Sequence, residues 1–135
     1  MFIIDALIGN TDRHNENWGF LVDNQTKEVE FAPIYDCGSC LNPMIDDNKI
    51  EKLKEKEIKN LAINCYSCLK ENGKKINYMT YIKDAINEEC NKAIIRVFKD
   101  INIVKINNFI SEVSCMSNVR KEFYKKLINI RYKII

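Results

Sequence analysis

The stretch from Trp18 to Phe31 leaves the chain little choice but to double back on itself. Trp18, Phe20 and Val22 alternate with Gly19 and Leu21, Asp23, Asn24 and Gln25 supply turn chemistry, and Val29 and Phe31 alternate again before Pro33 ends the run. That pattern predicts a β-hairpin. In an antiparallel pair the start of one strand lies beside the end of the other. Residues just before Trp18 therefore meet residues just after Phe31, and Asp12, Asn17 and Asp36 are expected to converge at one end of the hairpin.

Two carboxylates and one amide make an oxygen-rich set that suits Mg2+, a hard ion that keeps several waters and takes few protein ligands beside substrate phosphates. Asp12 and Asn17 lie five positions apart. Phosphoryl-transfer loops use that separation between the carboxylate that accepts the substrate hydroxyl proton and the amide that binds metal. On this reading Asn17 and Asp36 hold the metal and Asp12 is the base. A loop aspartate alone is usually a cap or turn residue, and Asp5, Asp23, Asp46 and Asp47 are read that way. The triple that brackets a hairpin carries the functional reading.

The run IGNTDRHNENWGFL, followed by FAPIYDCGS, resembles the C-terminal lobe of HipA-like serine/threonine kinases, a bacterial family that includes toxins of toxin–antitoxin pairs. The resemblance implies that Asp12 is the catalytic aspartate, Asn17 the metal-binding asparagine, and Asp36 the counterpart of the DFG aspartate of other kinases. It also implies ATP and Mg2+ as cofactors, a protein substrate, and an antitoxin as a possible partner. Asn10, Arg13 and His14 become supporting residues of the loop. His14, the one histidine, is expected to hold the loop through hydrogen bonds, and Arg13 to neutralise either a loop carboxylate or a phosphorylated segment. The tail NVRKEFYKKLINIRYKII is similar, more loosely, to the closing helix of this group. NTDRHNENW also looks like the catalytic loop of phosphoinositide kinases, but FAPIYDCGS is closer to the HipA-like pattern.

At 135 residues the chain amounts to one domain. The expected fold is α+β and mainly helical, a protein-kinase-like C-terminal lobe over residues 1–135 with one β-hairpin carrying the active-site loop. A complete two-lobed kinase would be longer. The four glycines, at positions 9, 19, 38 and 73, are too scattered for a phosphate-gripping loop. The nucleotide-gripping lobe is therefore expected to be missing, the lobe to be truncated at its N-terminus, and the chain to be inactive or nearly so without a complementing N-terminal lobe. The surface that lobe would cover is expected to expose Phe2, Ile3 and Ile4.

Along the rest of the chain, the opening from Met1 reads as the last turns of a helix ending at Gly9. Cys37 to Asn48 reads as a loop, and Lys49 to Cys65 as a helix capped by Asp46, Asp47 or Asn48. Glu71 to Lys75 is the clearest turn of the second half. Met79, Ile82, Ala85, Ile86, Cys90, Ala93, Ile94, Val97 and Phe98 suggest one long amphipathic helix. Ile106 to Val113 suggests a shorter helix, and Asn118 onward a last one, with Arg120, Lys121, Lys125 and Lys126 opposite its apolar stripe.

A net charge of +2 gives no field that argues for nucleic acid or a membrane surface, and the basic face of the last helix reads as solvated. No run of about 18 apolar residues marks a membrane span. Six cysteines without an export signal point to a reducing cytoplasm. Cys37 with Cys40 and Cys65 with Cys68 form two CxxC pairs, but the first overlaps the loop of Asp36 and the second adjoins a predicted helix. Buried small hydrophobes are expected rather than a zinc site. The competing functional class is a kinase remnant without catalysis, acting as a binding or regulatory module.

Overall fold

Seven helices and two separate hairpins make up the fold in the computed structural model, which describes all of residues 1–135. The first helix, α1 (Phe2–Ile8), stops where expected: Gly9 takes the left-handed conformation at φ 69° and donates its N–H to the Asp5 carbonyl. A side chain at Gly9 would also collide with its neighbour, since a Cβ there would lie 2.4 Å from Arg131 Nη1.

The expected hairpin is present. Strand β1 (Phe20–Val22) pairs antiparallel with β2 (Val29–Phe31), matching Phe20 to Phe31, Leu21 to Glu30 and Val22 to Val29. Asp23 shapes the turn by accepting the N–H groups of Gln25 and Thr26 at 2.7 and 2.8 Å. All six strand residues are exposed.

A second hairpin corrects the expectation of only one. Strand β3 (Tyr66–Glu71) pairs antiparallel with β4 (Lys74–Asn77), so the turn at Glu71 to Lys75 is the tip of a hairpin. Cys65 and Cys68 therefore flank the start of a strand, where helical periodicity hid it.

Two long helices are also broken. In place of one helix over Lys49 to Cys65 there are α2 (Asp47–Lys52) and α3 (Glu55–Ile63). Asp46 caps the first through Lys49 N–H, and Glu57 reaches back to the Lys54 N–H to start the second. The apolar positions Leu53 and Ile58 are five apart, about 140° around a helix, a step off the spacing of three and four that keeps a narrow stripe in register. The long pattern from Met79 likewise divides into α4 (Tyr78–Asp84) and α5 (Glu88–Phe98), because Ala85 turns left-handed at φ 52° and Asn87 caps a new helix through Cys90 N–H. Helices α6 (Ile103–Glu112) and α7 (Asn118–Ile134) follow the predicted pattern.

The last helix is the spine of the core. Phe123 and Leu127 pack with Ile50, Ile58 and Ala62 of α2 and α3, while Ile128 packs with Leu7 and Ile110 of α1 and α6. A third cluster joins Ile3 and Ala6 to Cys65, Tyr78, Met79 and Ile82. Full burial of each such aliphatic side chain contributes about 1.5–3 kcal/mol. This cluster overturns the expectation for the N-terminus: Ile3 is buried, and Phe2 is half-buried with its ring 4.9 Å from that of Tyr78. Exposed apolar side chains lie instead on the first hairpin, at Phe20, Leu21, Val22, Val29 and Phe31, and singly elsewhere, as at Met44, Ile86 and Ile95. The lysines of α7 meet oxygens on neighbouring elements, with Lys126 on Glu55 and Lys121 on the Ser111 carbonyl, while Arg120 holds Asp47 at 2.7 Å.

Candidate active site

The loop between α1 and β1 is built on a buried ion pair. Asp5, one turn before Gly9, is 1% exposed and receives Nε and Nη2 of Arg13, itself 5% exposed, with the Nη2 contact at 2.9 Å. Arg13 Nη1 donates to the main-chain carbonyls of both Asn17 and Tyr35, and Nη2 reaches Cys37 Sγ at 3.8 Å. One guanidinium thus ties the catalytic-loop candidate to the segment that carries Asp36. Its hydrogen bonds to Asp5 hold its pKa above the ordinary arginine value. Of the two partners foreseen for Arg13, a carboxylate is the one present, but it comes from Asp5, which had been read as a cap or turn residue.

Asn10 is the second anchor and is fully buried. Its Nδ2 donates to Asp5 Oδ1 at 3.0 Å, while its Oδ1 accepts the Asp12 N–H at 3.0 Å and the Ser39 hydroxyl at 2.6 Å. The Tyr78 hydroxyl donates to the Asn10 carbonyl at 2.8 Å. Burial pushes the Tyr78 phenol above its ordinary pKa.

Asp12 and Asp36 line one open cleft of about 580 Å³, together with Ser39, Asn42 and Met44. Both carboxylates are exposed, and Asp36 sits in the left-handed region at φ 51°, a conformation that costs a non-glycine residue about 1–2 kcal/mol. Asn17, within the 3-10 turn Asn15–Asn17, is 5% exposed. Its Nδ2 donates to the Asp12 carbonyl at 2.7 Å, which leaves Oδ1 as the free oxygen of the amide. His14 Nδ1 accepts the Glu16 N–H at 3.3 Å, and its Nε2 lies 4.0 Å from Asp12 Oδ2. Below the first hairpin the Tyr35 hydroxyl donates to the Glu16 carbonyl at 3.0 Å, closing the loop onto the segment that follows β2.

For Mg2+ the donor chemistry fits. Asp12 and Asp36 offer two hard carboxylate donors to the same cleft, a number this ion accepts; Asn17 is buried and does not line the cleft, though its amide oxygen is uncommitted. No group of three or more His, Cys, Asp or Glu side chains is gathered at metal-binding distance. The four CxxC cysteines serve elsewhere: Cys65 is buried in the core, the Cys68 thiol donates to the Arg13 carbonyl, and Cys40 is half-buried beside Cys37. Burial first, and the adjacent Cys37 second, push the Cys40 thiol up to about 12.

Sequence reasoning missed three residues that shape this site. Asp5 gave no local signal, because its partner lies eight positions on. Cys68 belongs to the hairpin that was not foreseen. Arg131, in a tail whose basic residues were read as solvated, is fully buried against Gly9 and donates Nε to the Ala62 carbonyl at 3.0 Å, with no partner for Nη1. Burial lowers its pKa from the ordinary arginine value.

The chain is 41% identical over 136 residues to the serine/threonine-protein kinase CtkA of Helicobacter pylori strain J99, across 97% of this chain and 42% of that protein. Its structure superposes on the crystal structure of a Helicobacter pylori proinflammatory kinase CtkA with a TM-score of 0.90 and 39% identity, over 100% of this chain and 48% of that one. The fold is that of part of a serine/threonine kinase. No family model matches the chain. It spans less than half the length of either relative. No helix is long and apolar enough to cross a membrane.

Proposed function

We propose that this chain is the C-terminal catalytic lobe of a HipA-like serine/threonine protein kinase, acting in the cytoplasm and carrying the base and metal ligands for phosphoryl transfer from ATP. The observation that carries the reading is the shared cleft of Asp12 and Asp36, fastened from beneath by Arg13 and Asn10. Asn17 and Asp36 would hold Mg2+, which when bound neutralises charge on the phosphates. Asp12, exposed in the cleft, accepts the proton of a substrate hydroxyl as its oxygen takes the phosphoryl group. Asn10 fixes the Asp12 main chain, and Arg13 fixes the carbonyls on either side of the hairpin.

Nucleotide grip is not supplied by the residues of this lobe. A complementing N-terminal lobe would supply the phosphate-binding loop and lysine, and would cover the bare aromatic face of the first hairpin. An antitoxin is a further candidate partner. Likeness to a serine/threonine kinase favours a protein over a phosphoinositide as acceptor. The exposed hairpin also favours a second reading, a non-catalytic module that binds a partner through this face.

Titration of the folded chain with Mn2+ and ATP, followed by calorimetry and electron paramagnetic resonance, tests the proposal. Binding that is abolished in Asp36→Ala supports the metal site. A chain folded by circular dichroism that takes up neither ion nor nucleotide overturns it in favour of the binding module.

A further inference from the structure

Two cysteines sit in the turn that directly follows Asp36, and their placement differs from that of every other cysteine in the chain. The Cys40 N–H donates to the Cys37 carbonyl at 3.1 Å, closing a four-residue turn. Such a turn brings its first and last Cα atoms within about 7 Å, and disulfides span Cα separations of about 4.4–6.8 Å. Both cysteines are free thiols at the two ends of this one turn. Cys37 is exposed, so a small oxidant can reach it. The other CxxC pair cannot bridge in this way. Cys65 and Cys68 enter an extended strand, where three steps cover about 10 Å.

The turn is also wired to the site. Cys37 Sγ accepts from Arg13, the residue that holds the Asn17 and Tyr35 carbonyls, and Ser39 holds Asn10, which fixes Asp12. Asp36, at the head of the turn, and Leu41 and Asn42, at its end, are all left-handed, with φ of 51°, 58° and 56°. A segment with that many strained residues holds its shape through its neighbours, and a change within it is transmitted to them.

We propose that Cys37 and Cys40 form a reversible disulfide that closes the turn and withdraws Asp36 and Arg13 from their present arrangement, so that oxidation weakens divalent-cation binding at the site. The disulfide itself rests on the turn geometry; its effect on the metal rests on the proposed function. A low-molecular-weight disulfide such as oxidised glutathione is the oxidant. Cys37 sulfur attacks one of its sulfurs and expels one thiol, leaving a mixed disulfide. The Cys40 thiol gives its proton to solvent, its sulfur attacks the Cys37 sulfur, and the second glutathione leaves as a thiolate that takes up a proton. Two protein thiols are oxidised, the small disulfide is reduced to two thiols, and a reducing thiol reverses both steps. The Cys37 sulfur, now bonded to Cys40, leaves the Arg13 guanidinium. Loss of contacts that orient metal ligands typically weakens metal binding 10–100-fold.

The test equilibrates the folded chain in graded mixtures of reduced and oxidised glutathione, quenches with acid, alkylates the remaining thiols and maps them by mass spectrometry. The expected result is a single bridge between residues 37 and 40, absent in Cys37→Ser and in Cys40→Ser. Alkylation of both residues at the most oxidising ratio, or glutathione retained on Cys37, overturns the proposal. Mn2+ affinity is then measured on the reduced and bridged forms and on Cys37→Ser. About 10–100-fold weaker binding by the bridged form, with Cys37→Ser indifferent to glutathione, supports the switch; equal affinities overturn it. If the reduced chain binds no Mn2+, the metal-site reading and the switch both fail, while the mapped disulfide stands.

Discussion

The two hairpins are the same kind of element held in opposite ways. The first, β1 with β2, is exposed on both faces and projects Trp18, Phe20 and Phe31 as a mutually packed aromatic group, with Trp18 stacked on Phe31 at 5.9 Å between ring centres. The second, β3 with β4, is anchored at its base: Ser67 is buried, the Cys68 thiol holds the Arg13 carbonyl, and the Tyr78 that follows reaches the Asn10 carbonyl. Yet the first hairpin has the candidate chemistry at its open end, and the second has none. The site is thus stabilised from below, by α1, the second hairpin and α4, while the hairpin above it is held only by its own aromatic contacts.

The sharpest way to break that picture is to remove the shared anchor. Asp5→Ala leaves the Arg13 guanidinium buried and unpaired, and breaking a buried pair in this manner costs about 3–5 kcal/mol. Urea denaturation is expected to show that loss, along with the loss of any Mn2+ binding. If Asp5→Ala is as stable as the parent chain, the loop is not supported from α1 and the comparison fails. Gly9→Ala comes next. It forces a side chain into the left-handed region, at about 1–2 kcal/mol, and presses a methyl group against Arg131. A melting midpoint unchanged by Gly9→Ala would mean that α7 does not pack against the loop as described.

What the sequence made legible follows from the range of the interactions. The first hairpin, the Gly9 stop, α6 and α7 are written in local alternation, turn residues and helical spacing, and all were read correctly. That Asp12 and Asp36 share one cleft was legible because a hairpin fixes which of its flanks meet; Asn17 does not line that cleft. Asp5 with Arg13, Arg131 against Gly9, and Cys68 on the Arg13 carbonyl are pairings between separate segments, and no local pattern encodes them. The second hairpin was hidden because Cys65, Ser67 and Leu69 alternate weakly beside a helical stretch. The two broken helices did leave signals. The step of five from Leu53 to Ile58, and Asn87 ahead of Glu88 and Glu89, mark interruptions that a reading led by apolar count alone passes over.

Two milder substitutions sharpen the contrast at the second hairpin. Cys68→Ala removes the thiol donor to the Arg13 carbonyl, and Tyr78→Phe removes the hydroxyl donor to the Asn10 carbonyl. Each is expected to cost about 1 kcal/mol, rising toward 3 where the abandoned carbonyl stays dry. Additivity offers the finer check. Both bonds end on the same loop, so the double variant is expected to depart from the sum by more than about 0.5 kcal/mol. Strict additivity would mean that the two contacts support separate structures.

The smallest effect belongs to the first hairpin. With three residues per strand and no buried face, β1 and β2 open at little cost, and local openings of this kind need not involve the rest of the chain. The aromatic pairs of Phe20 with Trp18 and Phe31 contribute about 0.5–1.5 kcal/mol to keeping the hairpin closed. Phe20→Ser is therefore expected to speed hydrogen exchange at Val22 and Val29 while shifting the global unfolding free energy by less than about 0.5 kcal/mol. Exchange in β3 and β4, tied to the core through Ser67 and Tyr78, should not change. A global loss of stability from Phe20→Ser would show that the aromatic face is coupled to the core, and the view of it as a surface reserved for a partner would have to be abandoned.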